Sequence, residues 1–114
     1  MADDAVPADE RPGDDRPAED PEAVLAELFA VVEDRKERLP EGSYTASLFA
    51  HEKGENAALE KLGEETTEVV LAAKDGDREA LAAESADLVY HLLVVLSAQD
   101  VTLEDLLAEL RERR

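Results

Sequence analysis

Four carboxylates stand in this sequence as two matched pairs. Glu65 and Glu68 are spaced i, i+3, as are Glu84 and Asp87, and the fifteen residues Val69 to Ala83 separate the pairs. On a helix, that spacing puts both members of a pair on one side, one turn apart, so two packed helices would aim all four groups at a single point. Carboxylates gathered there repel one another, and removing each from water is costly unless it is paired or protonated. A cation resolves both difficulties. Oxygen ligands with no accompanying cysteine or histidine set select Mg²⁺ over zinc, with Mn²⁺ as a possible substitute. The near-octahedral shell of Mg²⁺ also leaves positions for water and phosphate oxygens. One such pair would arise by chance in a Glu-rich helix; two pairs, both leaning into apolar stripes, make a more specific pattern.

The elements that must position these groups follow from periodicity and caps. Asp20-Pro21 reads as the start of a helix whose apolar positions Val24, Leu25, Leu28, Val31 and Val32 recur at helical spacing, running to about Leu39 before Pro40. Glu41 to Thr45 is a connector with Gly42 as its flexible point, and Ser43 or Thr45 caps a short helix through Leu48 and Phe49 that ends near Gly54. A longer helix is predicted from about Asn56 to Lys74, stopped by Asp75-Gly76-Asp77, which also supplies the next N-cap. A fourth spans Arg78 to Ala98 and is apolar almost all round in its second half. Thr102 opens a last amphipathic helix, with Asp105 in the place of a capping-box acid.

Placed on these helices, the acids fall at uneven depths. With Leu62 as reference, Leu59, Thr66, Val69 and Ala73 lie within about 60°, Glu65 flanks that stripe at about 60° on the other side, and Glu68 lies at about 120°. Glu64 points to the opposite side, towards water. On the next helix, Leu81, Leu88, Leu92 and Val95 form the expected core face, with Glu84 inside it, His91 about 60° from Leu88 and Asp87 about 100°.

The 114 residues give room for one domain. Apolar residues make up 44% and aromatics only 4%, with Ala and Leu dominating, which favours an all-α helical bundle of four to five helices. There is no cysteine, which excludes a disulfide scaffold, a thiolate metal site and a thiol nucleophile and fits a reducing cytoplasm. The longest apolar run, Leu92 to Leu96, is far shorter than the roughly 20 residues of a membrane span, and the N-terminus is acidic where a signal peptide is basic. No membrane association is therefore expected.

Charge sharpens the picture. Thirty acidic against twelve basic residues give a formal charge of -18, which repels nucleic acid in the absence of a basic patch. Residues 1–20 hold eight acids and two arginines with Pro7, Pro12, Pro17 and Gly13, a composition that reads as a disordered acidic tail. Residues 21–114, the expected domain, still carry 22 acids against ten basic residues, net -12, with only four lysines in the whole chain. Because this excess is spread over every exposed face, it resembles a halophile's surface adaptation more than an acidic mimic of nucleic acid.

The two acidic pairs resemble those of the all-α, MazG-like nucleoside triphosphate pyrophosphohydrolases. Within that group, Gly42-Ser43-Tyr44-Thr45, Lys61-Leu62-Gly63-Glu64-Glu65, Glu68-Val69-Val70, Ala72-Ala73-Lys74 and Ala86-Asp87-Leu88-Val89-Tyr90-His91-Leu92-Leu93 are similar to the phosphoribosyl-ATP pyrophosphohydrolases of histidine biosynthesis. The likeness covers about Leu25 to Leu110. One departure is that Ala57, Ala58 and Glu60 stand where members of that family carry further lysines.

The resemblance implies Mg²⁺-dependent hydrolysis of the α–β phosphoanhydride of 1-(5-phosphoribosyl)-ATP. Glu65, Glu68, Glu84 and Asp87 would be the metal ligands, and Ser43, Tyr44, Thr45, Lys61, Lys74 and His91 would contact substrate. Four carboxylates and one Mg²⁺ leave -2, and a triphosphate brings about -4 more, so further cations or Lys61, Lys74 and Arg78 must help. Glu64 is either the general base, once a partner subunit or substrate covers it, or a solvated surface acid. His91 contacts substrate, orients Asp87, or is a satisfied core histidine. Tyr44 and Tyr90 are more often packing residues than base-stacking ones. A homodimer is implied, as is contact with the phosphoribosyl-AMP cyclohydrolase that acts next. The competing readings are a relative acting on dCTP or another nucleotide, a subunit inactive alone, and a non-enzymatic acidic helical adapter.

Overall fold

A computed structural model describes residues 23–113. The described chain forms five helices and no strand: α1 Ala23–Arg38, α2 Tyr44–Phe49, α3 Glu55–Asp75, α4 Arg78–Ala98 and α5 Leu103–Glu112. The all-α bundle expected from composition is thus observed; the bounds of α3 and α4 and the start of α5 fall within one residue of those predicted, whereas α2 ends at Phe49, not near Gly54, its Ala50 N–H closing on the Ala46 carbonyl. The acidic tail of residues 1–20, and the Asp20-Pro21 start assigned to the first helix, lie outside the described residues.

Local chemistry explains the boundaries. Ser43 caps α2 by accepting from the Ala46 N–H at 3.0 Å. Gly76 takes a left-handed φ of 69° to end α3 and Asp77 immediately caps α4 by accepting from the Ala80 N–H at 3.0 Å, so the α3–α4 reversal needs no longer loop. Thr102 and Asp105 form a complete capping box at the start of α5, with both bonds at 3.0 Å.

Helices α3 and α4 form the backbone of the bundle and make its most extensive contact. Their approach is close because α3 offers small side chains to it: Ala57, Ala58 and Ala72 are buried. The core gathers Val32 of α1, Leu48 of α2, Ala58 of α3 and Tyr90 and Val94 of α4. At the far end of α4, Lys36 of α1 donates to the Ser97 carbonyl at 2.8 Å and lies 3.3 Å from Glu33 and Asp100. Burial pulls the Lys36 ammonium down, yet its bonds to Glu33 and Asp100 more than offset this and hold its pKa above the usual lysine value. This cation lies at the negative end of α4, where carbonyls lack helical partners.

The buried stripes are rotated from those expected. On α3 the fully buried line runs through Ala58, Glu65 and Ala72, while Leu59, Thr66 and Ala73 are exposed. On α4 the buried side runs through Asp87, Tyr90, His91, Val94 and Ser97, and Leu81, Leu88, Leu92 and Val95 are only half-buried. Glu65 is therefore at the centre of the α3 contact face instead of at its margin. By length and mean hydropathy, averaged over a window instead of an unbroken run, α4 also meets the requirement for crossing a bilayer. It carries Glu84 and Asp87 within that length and packs on α3 and α1, which is the position of a core helix.

Candidate metal centre

Glu65 projects from the middle of α3 directly at α4. Its residue exposure is 0%, and both Oε atoms are sealed from solvent. Across the interface, Glu84 and Asp87 occupy successive turns of α4; Asp87 is buried and Glu84 half-buried. One carboxylate oxygen from each of the three lies within 4.8 Å of the others. At an effective dielectric of about 20, each ionised pair at 4.8 Å repels by roughly 3 kcal/mol. An all-oxygen donor set held this close, one member of it fully buried, fits a hard divalent cation.

Three of the four expected ligands are thus brought together. Glu68 is half-buried, one turn further along α3, and stands outside the three-residue group. The cause is the rotated stripe: with Glu65 on the centre line of the contact, a residue about 60° round the helix faces the edge of the interface. Glu64 is exposed, as its helical phase predicts, and pairs with Lys61 at 3.4 Å. Lys61 lies one turn before Glu65 on the same side of α3, half-buried. Lys74, in the last turn of α3, and Arg78, at the start of α4, are exposed.

The Ser-Tyr-Thr segment and the Tyr-His pair, distant in sequence, meet in space. Tyr44 Oη and His91 Nε2 are 3.1 Å apart. His91 Nδ1 lies 2.7 Å from the Asp87 carbonyl, which can only accept, so Nδ1 carries a proton, and Nε2 shares a hydrogen bond with the Tyr44 hydroxyl. The adjacent residues repeat the tie, because the Thr45 and Tyr90 hydroxyls hydrogen-bond to each other in the interior. The Tyr44 and Tyr90 rings stack at 6.3 Å, and the His91 ring meets Tyr90 edge-on at 4.8 Å. Thr45 and His91 have no exposed surface, and Ser43 is engaged as the α2 cap.

Two of these contacts carry information that periodicity cannot. The Tyr44–His91 and Thr45–Tyr90 bonds join residues more than forty positions apart. Their only trace in the sequence is that each segment sets a tyrosine beside a polar side chain that can meet it.

Comparison with known proteins gives the family. Residues 25–114 match the family described as phosphoribosyl-ATP pyrophosphohydrolase. A protein named phosphoribosyl-ATP pyrophosphatase from Haloarcula marismortui is 71% identical over 91 residues, covering 80% of this chain and 93% of that protein. One of the same name from Natronomonas pharaonis is 72% identical over 91 residues, with 80% and 90% covered. A third, from Pelotomaculum thermopropionicum, is 52% identical over 91 residues, with 80% and 91% covered. The matched span takes in every helix that bears an acid of the cluster and both segments that tie α2 to α4, and on that ground the chain belongs to the phosphoribosyl-ATP pyrophosphohydrolase family.

Proposed function

We propose that this protein hydrolyses the α–β phosphoanhydride of phosphoribosyl-ATP, releasing pyrophosphate and phosphoribosyl-AMP, with Mg²⁺ as the metal and Mn²⁺ able to replace it. The observation that carries the reading is the Glu65, Glu84 and Asp87 cluster, within 4.8 Å and buried between two helices of a chain in this family. Bound there, Mg²⁺ would supply charge neutralisation and polarisation of the phosphate oxygens.

The remaining work falls to the chain. Glu65, Glu84 and Asp87 hold the cation. Glu68, half-buried at the edge of the group, would be the fourth carboxylate near the cation. Lys61 and Lys74 offset phosphate charge from the α3 side, and Ser43 and Tyr44 present the edge of α2 to the substrate. Thr45 and His91, both fully buried, act from behind that edge. Glu64, exposed and paired with Lys61, is the acid that would take a proton from the attacking water once substrate or a partner subunit covers it.

The test is pyrophosphate release from phosphoribosyl-ATP with and without Mg²⁺, and with dCTP as comparator. Turnover of phosphoribosyl-ATP that requires the metal is the expected result. Release from dCTP alone would move the assignment to a sister activity, and no release from either would favour a binding protein.

Apolar surface supports a homodimer. Leu59 and Val70 share one side of α3 and are 44% and 52% exposed. On α4, Val89 is 38% exposed beside the half-buried Leu88 and Leu92. A second copy of the chain covers these two faces together. In the same reading residues 1–20 are a dispensable tail, and the product passes in the cytoplasm to the phosphoribosyl-AMP cyclohydrolase. A chain beginning at Pro21 is expected to keep both the turnover rate and a dimeric mass by light scattering. Loss of rate or of dimer on truncation would assign the tail a working role.

A further inference from the structure

The acidic cluster can work only while α3 and α4 keep a fixed separation and phase, because Glu65 belongs to one helix and Glu84 and Asp87 to the other. Repulsion among the three pushes those helices apart whenever no cation is bound. The short helix α2 is placed to resist this. It packs against α3 through Leu48 and Ala58 and is hydrogen-bonded to α4 through two successive residues, Tyr44 and Thr45.

The Tyr44 bond ends on His91, which is tied to the backbone of a cluster residue. His91 lies one turn beyond Asp87, and its Nδ1–H donates to the Asp87 carbonyl, the same oxygen that the α-helical pattern gives to the His91 N–H. The ring is thereby locked onto its own helical turn, and its Nε2 faces α2. The Tyr90 and Tyr44 rings both meet the imidazole edge-on, at 4.8 and 6.1 Å, and add to this restraint.

We propose that Tyr44 and His91 are positioning residues for the cation site: a strap from α2 that fixes the Asp87 turn of α4 against Glu65. The inference rests on the metal reading of the cluster and deepens it. Neither side chain donates an atom to the cation. Their effect is on how well the three carboxylates are pre-assembled, which sets affinity for a divalent ion more than it sets the stability of the fold. Removing an outer hydrogen bond that orients a ligand typically weakens metal binding by about 10–100-fold.

The experiment is Mn²⁺ binding by the full chain at fixed molar salt, with free Mn²⁺ followed by electron paramagnetic resonance, for the wild type, Tyr44→Phe, His91→Asn, the double variant, and Glu65→Gln. Asparagine keeps a donor near the Nδ1 position and loses the group that meets Tyr44, so His91→Asn should match Tyr44→Phe. Each single variant is expected to weaken Mn²⁺ binding about tenfold with circular dichroism unchanged. The double variant should be no weaker than either, because both break one bond. Tyr44→Phe binding as tightly as the wild type, or losing only melting temperature, overturns the strap even if His91→Asn does not fold. Glu65→Gln separates the two levels: if it too binds as the wild type does, the metal reading has failed. If it alone abolishes binding, the metal site stands and only the strap is lost.

Discussion

Glu65→Gln, Glu84→Gln and Asp87→Asn are each expected to slow pyrophosphate release by roughly 10²–10³-fold, the scale set by removing one electrostatic group from a buried reaction site. Metal-free, the same variants should melt higher than the wild type. The two effects have one cause. Three carboxylates with oxygens within 4.8 Å repel one another, so on the metal reading each charge removed relieves repulsion in the apo state while stripping a ligand from the bound one. Opposed signs distinguish this from ordinary damage, since a variant that merely loosened the α3–α4 contact would lose stability and rate together. Mg²⁺, which should raise the melting temperature of the wild type, should leave that of Glu65→Gln nearly unmoved. Glu68→Gln is the internal comparator: lying outside the close group, it should lose only about tenfold, as an outer residue does. Full activity in any two of the three inner variants would remove the site as described, and a loss at Glu68 equal to theirs would make it a direct ligand.

The helices and the three clustered acids were legible in the sequence, but not the faces on which the helices meet. Caps are local, and so Gly76-Asp77 and Thr102 with Asp105 set their boundaries from a few neighbouring residues. The two acidic pairs were visible for the same reason, since an i, i+3 spacing has one meaning on any helix, although Glu68 falls outside the close group. The phase of the contact was another matter. Centring each helical wheel on its large apolar residues assumed that the bulkiest side chains lie deepest in the chain. In α3 the deepest positions belong to Ala58, Glu65 and Ala72, because alanine lets the helix carrying Glu84 and Asp87 come close enough to complete the site. Leu59 and Val70 are displaced to the rim and stay exposed. The bonds from Tyr44 to His91 and from Thr45 to Tyr90 had no periodic signature at all, being fixed only when α2 lies across α3 and α4.

Salt should govern whether this domain folds without its metal. Residues 21–114 carry a net charge of -12, and three of the acids are crowded into one cluster between α3 and α4. At 0.01 M ionic strength the Debye length is about 30 Å, comparable with the 38 × 33 × 29 Å extents of the bundle, so nearly every acid repels every other; at 1 M it is about 3 Å and only neighbours interact. The apo protein is therefore expected to lose helical circular dichroism on dilution into low salt and to recover it in molar NaCl. Millimolar Mg²⁺ should restore it far below the concentration that screening requires. A ligand at a hundredfold excess over its Kd adds about 2.7 kcal/mol to the native state, which for a domain of this length is a rise on the order of 10–20 °C in melting temperature. Na⁺ matched for ionic strength screens without filling the acidic cluster, and should give only the smaller, gradual gain. Melting curves across a salt series, with Mg²⁺ and with matched Na⁺, separate the two effects because screening acts on the whole surface and the specific ion on Glu65, Glu84 and Asp87 alone. In Glu65→Gln the salt response should persist and the Mg²⁺ response vanish. A melting temperature indifferent to salt would end the halophilic reading of the surface, and equal responses to Mg²⁺ and matched Na⁺ would show that the cluster holds no ion of its own.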